Sequence, residues 1–172
     1  MVKISTKILT EMVACIALAA VLYEITFYQL PEGGRITAAS MVPLLFVALR
    51  RGPRVGIIAG ITFGLIAIVL DSASFAYNPI QVMLDYPLAY GALGLVGFFR
   101  RAPIMGVVVG IAGRFVCHFI SGLIFFAQFA PPTQGPYLYS AIYNGSYIVP
   151  ELIISAAMIF VLEKRKILQL YM

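Results

Sequence analysis

The sequence predicts an all-α integral membrane protein with six transmembrane helices and both termini in the cytoplasm. Composition is the first reason: 62% of the chain is hydrophobic and 11% charged, with a mean hydropathy of +0.98, outside the range of soluble domains. Charge placement is the second. Of 12 Lys and Arg, ten fall in four clusters: Lys3/Lys7, Arg50/Arg51/Arg54, Arg100/Arg101 and Lys164/Arg165/Lys166. The apolar sequence between neighbouring clusters suffices to cross a bilayer and return. The intervening hairpin tips, near 31–37, 71–78 and 129–140, hold one cation, Arg35. Short loops rich in Lys and Arg remain cytoplasmic, which sets the orientation.

The first helix is expected from about Ile8 to Leu30, where Pro31-Glu32-Gly33-Gly34 breaks it. Its apolar run is too long for a signal-peptide core and no small-residue cleavage site follows, so it reads as a retained span. The second, about Ile36 to Leu49, is short and is expected to be interrupted by Pro43. Its length of about 14 residues rises only roughly 21 Å at 1.5 Å each, less than a ~30 Å hydrocarbon core. The loop before it is therefore expected to dip into the protein, where irregular backbone is tolerated if it is buried or lines a cavity. The third helix, about Val55 to Leu70, repeats Gly56, Gly60 and Gly64, a surface for close helix approach. The fourth runs from Pro79 to Arg100 and the fifth from Pro103 to Phe129, ended by Pro131-Pro132. The sixth covers about Ala141 to Leu162, with breaks expected at Gly145 and Pro150.

A single domain over residues 1–172 is expected, without the inverted repeat of a self-contained secondary transporter. No G-x-x-x-x-G-K-[ST] occurs, so any uphill movement draws its energy from another subunit. The net charge of +5 is assigned to topology and to anionic lipid headgroups of the bilayer rather than to nucleic acid. Cys15 and Cys117 both lie in apolar segments, which indicates neither a disulfide framework nor a metal site, and no cofactor is implied.

Ionisable groups at membrane depth are costly and are functional candidates by default. They are Glu11, Glu24, Asp71, Asp85, Arg114, His118 and Glu151. Glu11 reads as snorkelling or paired with Lys7, and Asp71 as a solvated helix end. Glu24 and Glu151 either line a cavity or make structural hydrogen bonds. Arg114 and His118, at i and i+4, share one face, and Arg114 is expected to pair with Asp85 or Glu151. Aromatics gather near the outer ends of the last three helices, among them Phe75, Tyr86, Tyr90, Phe126, Tyr139, Tyr143 and Tyr147. Part of this is an interfacial belt. Asp85 among aromatic rings, with Asn144 and His118 nearby, is also chemistry that holds an organic cation. The Asn144-Gly145-Ser146 sequon abuts a helix and is not read as a glycosylation site.

Several of these residues fall in an order that resembles the thiamine-specific substrate-binding (S) components of energy-coupling factor transporters. They are Leu49-Arg50-Arg51-Gly52, Gln81 through Asp85-Tyr86 to Leu93-Gly94-Leu95, His118-Phe119 with Gly122, Ala130-Pro131, and Tyr139-Ser140 with Asn144-Gly145. The resemblance implies a thiamine site at Asp85, Tyr86, His118, Tyr139 and Asn144. Asp85 would neutralise the thiazolium, Tyr86 and Tyr139 supply ring faces or hydroxyl bonds, His118 meet the hydroxyethyl or pyrimidine end, and Asn144 read the aminopyrimidine edge. The chain departs from the family in having no Trp. Gly34 and Phe126 stand where family members commonly place Trp, Phe75 where a Tyr is expected, and Asp85 where a Glu is. The resemblance also implies a transmembrane coupling subunit and two ATPase subunits, docked through small residues of the first helix, in the register Val13/Ala17 or Cys15/Ala19. Alternatives are the same fold binding a related pyrimidine or another vitamin, and a membrane enzyme using Asp85 or His118, for which no nucleophile–base pair or metal-ligand spacing is legible.

Overall fold

The computed structural model describes residues 5–71 and 77–169. Helix α1 spans Thr6–Glu24, capped by the Ser5 hydroxyl accepting from the Ile8 amide. It ends six residues before the expected Leu30, because Thr26–Gln29 (β1) leaves the helix to pair antiparallel with Arg35–Thr37 (β2). Thr26, Phe27 and Tyr28 are β-branched or aromatic residues that favour a pleated strand. Pro31-Glu32-Gly33-Gly34 is thus the turn of a hairpin rather than a helix stop. Gly33, at φ +91°, occupies the left-handed region that favours glycine.

Helix α2, Val42–Arg51, begins six residues later than the expected Ile36, with Pro43 in its first turn. Pro43 opens this helix instead of interrupting it, because an N-terminal turn needs no amide from that position. Val42, Leu44, Leu45, Val47, Ala48 and Leu49 are buried on all sides of it. The preceding hairpin lines a cavity, as its length required. Helix α3 follows over Pro53–Leu70, α4 over Pro79–Phe99, α5 over Pro103–Phe125 and α6 over Pro136–Lys164. These four and α1 are long and apolar enough to cross a membrane; α2 is not among them.

The glycine ridge of α3 packs against α4 backbone to backbone. Gly60 abuts Tyr90 and Gly91, and a Cβ added at Gly64 would lie 2.7 Å from the Tyr86 carbonyl group. Opposite them α4 is not uniform: Leu84–Leu88 is a π turn containing Pro87, and Leu93–Phe99 is a 3-10 segment. Proline has no amide to donate, and the widened turn absorbs that loss, a feature frequent at functional sites. Helix α6 starts five residues before the expected Ala141 and passes Gly145 and Pro150 without a break. Pro136 sits in its first turn, and a membrane helix tolerates an internal proline when neighbours re-satisfy its backbone.

Phe63, Met41, Leu44, Leu45, Leu93, Ile111 and Ile159 fill the core. Leu65, Val69, Ile124, Ile153 and Phe160 point outward, an apolar surface suited to lipid. Glu11 is held by Arg50, at 2.8 Å, and by Arg51, both on the neighbouring helix α2. Arg100 donates to the carbonyls of Leu49, at 2.9 Å, and Arg50, at 2.7 Å, and so caps the C-terminus of α2.

Candidate functional site

Seven of the eight expected ligand contacts line one cavity: Asp85, Tyr86, His118, Tyr139, Asn144, Phe126 and Gly34. The eighth, Phe75, lies outside the described residues. The π turn of α4 presents Asp85 and Tyr86, α5 presents His118 with Phe126 at its C-cap, α6 presents a row of tyrosines, and the hairpin closes the remaining side.

Asp85 sits at the centre of a polar chain. Its Oδ1 lies 3.0 Å from His118 Nδ1, and its Oδ2 accepts from the Ser121 hydroxyl at 2.8 Å. On the far side of the imidazole, Arg114 Nε donates to His118 Nε2 at 3.3 Å. A guanidinium only donates, so Nε2 accepts, and Nδ1 carries the proton that goes to Asp85. Arg114 therefore pairs directly with neither Asp85 nor Glu151, contrary to expectation. Its remaining nitrogens meet Met41 Sδ and the Tyr90 hydroxyl, and its plane lies 4.4 Å from the Tyr90 ring centroid. Ser121 escaped the sequence reading; it stands three residues after His118, hence on the same helical face.

Asp71 is no solvated end. It forms an ion pair with Arg35 of β2 at 3.2 Å and accepts from the Tyr86 hydroxyl at 2.8 Å, both on the cavity wall. Arg35 in turn lies 4.8 Å from the Tyr23 ring centroid. Glu151 is 2% exposed, and one of its oxygens accepts from the amide and hydroxyl of Thr37. Glu24, by contrast, is exposed. Tyr139 and Tyr143 stack at 6.2 Å, Tyr143 meets Tyr147 edge-on, and Tyr147 meets His118 edge-on at 5.9 Å. Asn144 is engaged at both ends of its amide: it donates to the Ser140 and His118 carbonyls and accepts from the Tyr147 hydroxyl at 2.8 Å. At Gly34 the amide donates to the Tyr143 hydroxyl at 3.1 Å, and an added Cβ would lie 2.6 Å from the Tyr147 ring.

On α1, Ala19 is fully buried and Cys15 partly so, whereas Val13, at 53%, and Ala17 are exposed. Cys15 and Ala19 thus pack within the protein, and Val13 and Ala17 face outward.

The family described as "Thiamine transporter protein (Thia_YuaJ)" matches residues 9–171. This chain belongs to that family. It is 32% identical over 169 residues to "Thiamine transporter ThiT" of Bacillus subtilis (strain 168), with 87% of each chain covered. It is 28% identical over 123 residues to "Thiamine transporter ThiT" of Lacticaseibacillus paracasei, covering 61% of each. A solved structure of ThiT from Listeria monocytogenes superposes with a TM-score of 0.81, covering 92% of this chain and 93% of that one; at 24% identity it supports the fold. Membership in the thiamine transporter family, with several helices able to span a bilayer, makes this a multi-pass plasma-membrane protein and a transporter rather than an enzyme.

Proposed function

We propose that this protein is the substrate-binding (S) component of an energy-coupling factor importer and captures thiamine from outside the cell. It crosses the membrane six times with both termini cytoplasmic, α2 and the hairpin together making one passage. A transmembrane coupling subunit and two ATPases drive the inward step, docked on the exposed Val13/Ala17 face of α1.

The observation that carries the reading is the charge state of the cavity. Asp71 is neutralised by Arg35, and Glu151 takes two hydrogen bonds from Thr37 on the wall that also holds Arg114. Asp85 and Glu151 are both held by neutral groups, His118 and Ser121 for the first and Thr37 for the second, but Glu151 is 2% exposed, whereas the Asp85 side chain is 17% exposed. Thiamine carries a permanent positive charge on its thiazolium, which cannot be shed to ease burial and needs a counter-charge in a desolvated site. Asp85, ringed by Tyr86, Phe126 and the α6 tyrosines, supplies it. The Tyr86 hydroxyl donates to Asp71, so toward a ligand it offers its ring and an acceptor oxygen. Asn144, occupied at both ends, fixes the Tyr147 ring beside His118, and Tyr139 with Phe126 flanks the ligand.

Titration calorimetry on the purified protein tests this. Thiamine is expected to bind well above hydroxymethylpyrimidine, which lacks the fixed charge; equal affinity for the two would overturn the role of Asp85. Liposomes holding only this chain should bind thiamine without accumulating it, and concentrative uptake would remove the coupling subunits from the account.

A further inference from the structure

We infer that Arg114 is a positioning residue for ligand capture: it pins His118 in the Nδ1–H tautomer and so keeps Asp85 free for an organic cation. The inference rests on the reading of Asp85 as counter-charge. His118 has two ring nitrogens, and each is committed. Nε2 accepts from Arg114 Nε at 3.3 Å, and Nδ1 faces Asp85 at 3.0 Å. A second proton on the imidazole would have to enter at Nε2, directly against a guanidinium N–H. Were it to enter, His118 would become a resident cation on Asp85 and would compete with the ligand for the same carboxylate.

Arg114 is built into the bundle for this task. It is 8% exposed, its guanidinium lies over the Tyr90 ring, and Tyr90 and Met41 hold its two terminal nitrogens, which leaves Nε aimed at the imidazole. From α4, His118 faces Asp85, with Tyr90 behind Arg114; from α6 it faces the Tyr147 ring. Cys117 adjoins it on α5, and Glu151 and the Arg35–Asp71 pair stand elsewhere on the cavity wall. Arg114 is the one of these groups that blocks Nε2.

His118 is the one histidine of the chain, so ¹⁵N-histidine labelling reads it without assignment. In the parent protein, free of ligand, a protonated Nδ1 and an unprotonated Nε2 are expected from pH 6 to pH 8. An Nε2–H tautomer or an imidazolium in that range would overturn the inference. Arg114→Met keeps the length and removes every donor; in it Nε2 is open to a second proton, and thiamine binding should weaken by more than about threefold from pH 8 to pH 6. The parent should hold within about twofold over the same range, and Arg114→Lys, which keeps a donor and a charge, should restore most of that flatness. An Arg114→Met protein with a parental spectrum and pH profile refutes the positioning role. Should Arg114→Met not fold, the parent spectrum and Arg114→Lys decide. Failure of the parent to bind thiamine at any pH would count against the substrate reading and leave the tautomer measurement standing.

Discussion

Replacing Asp85 by Asn removes one negative charge and little else, because the two side chains have nearly the same shape. In the parent, Asp85 accepts one hydrogen bond from His118 and one from Ser121, and its side chain is 17% exposed. Asn offers one acceptor oxygen, which can serve His118, while the Ser121 hydroxyl rotates to accept from the new amide; the local network survives. The contact with a bound thiazolium does not. Truncating one member of a buried charged pair costs about 2–5 kcal/mol, and the residual exposure of Asp85 puts the expectation near the lower end. About 2 kcal/mol corresponds to a roughly 25-fold weaker complex. Calorimetry with purified Asp85→Asn gives the affinity, and a thermal melt without ligand shows whether the fold is intact. A folded Asp85→Asn protein that binds thiamine within about threefold of the parent would refute the assignment of the counter-charge.

Reporter fusions after Arg54, after Arg101 and at the C-terminus are expected to report cytoplasm, and fusions near Gly34, Asn78 and Thr133 the outside; one reversed loop would remove the six-span topology. Gly64→Ala forces a methyl group against the Tyr86 carbonyl, so it should lower stability by about 1–3 kcal/mol, seen as a reduced melting temperature in detergent, and should weaken ligand binding by displacing the Asp85 turn. Ala17→Trp on the exposed face of α1 should abolish co-purification with the coupling subunit while thiamine affinity is unchanged. Ala19→Trp, at a fully buried position, should instead destabilise the isolated protein.

Much of this architecture is legible where one residue type has one physical use. Cation clusters mark the ends of spans, and Gly56, Gly60 and Gly64 mark a close helix contact that α4 duly makes. Asp85 and His118 stand out because charge at membrane depth is expensive, and they do meet at 3.0 Å. What escaped the sequence depends on long-range partners. Thr26–Gln29 continues an apolar helical run, and only pairing with Arg35–Thr37 makes it a strand. Asp71 looks like an exposed helix end until β2 brings Arg35 to it. Pro150 marks a break by its local chemistry, yet α6 continues through it inside the packed bundle. Glu11 gains Arg51 of α2, 40 residues away, as a partner.

Arg100 serves two readers. During membrane insertion its charge alone counts, as would that of any cation in a short loop. Once the bundle has formed, its shape counts as well: the guanidinium reaches two terminal carbonyls of α2 with two differently directed donors, a geometry that a lysine ammonium does not offer. Swapping Arg100 for Lys would leave orientation untouched and loosen the end of α2, the buried helix too short to hold its own place in the bilayer. Experiments that move positive charges to redirect topology would therefore also unfasten a joint, and an orientation change could be mistaken for a loss of fold.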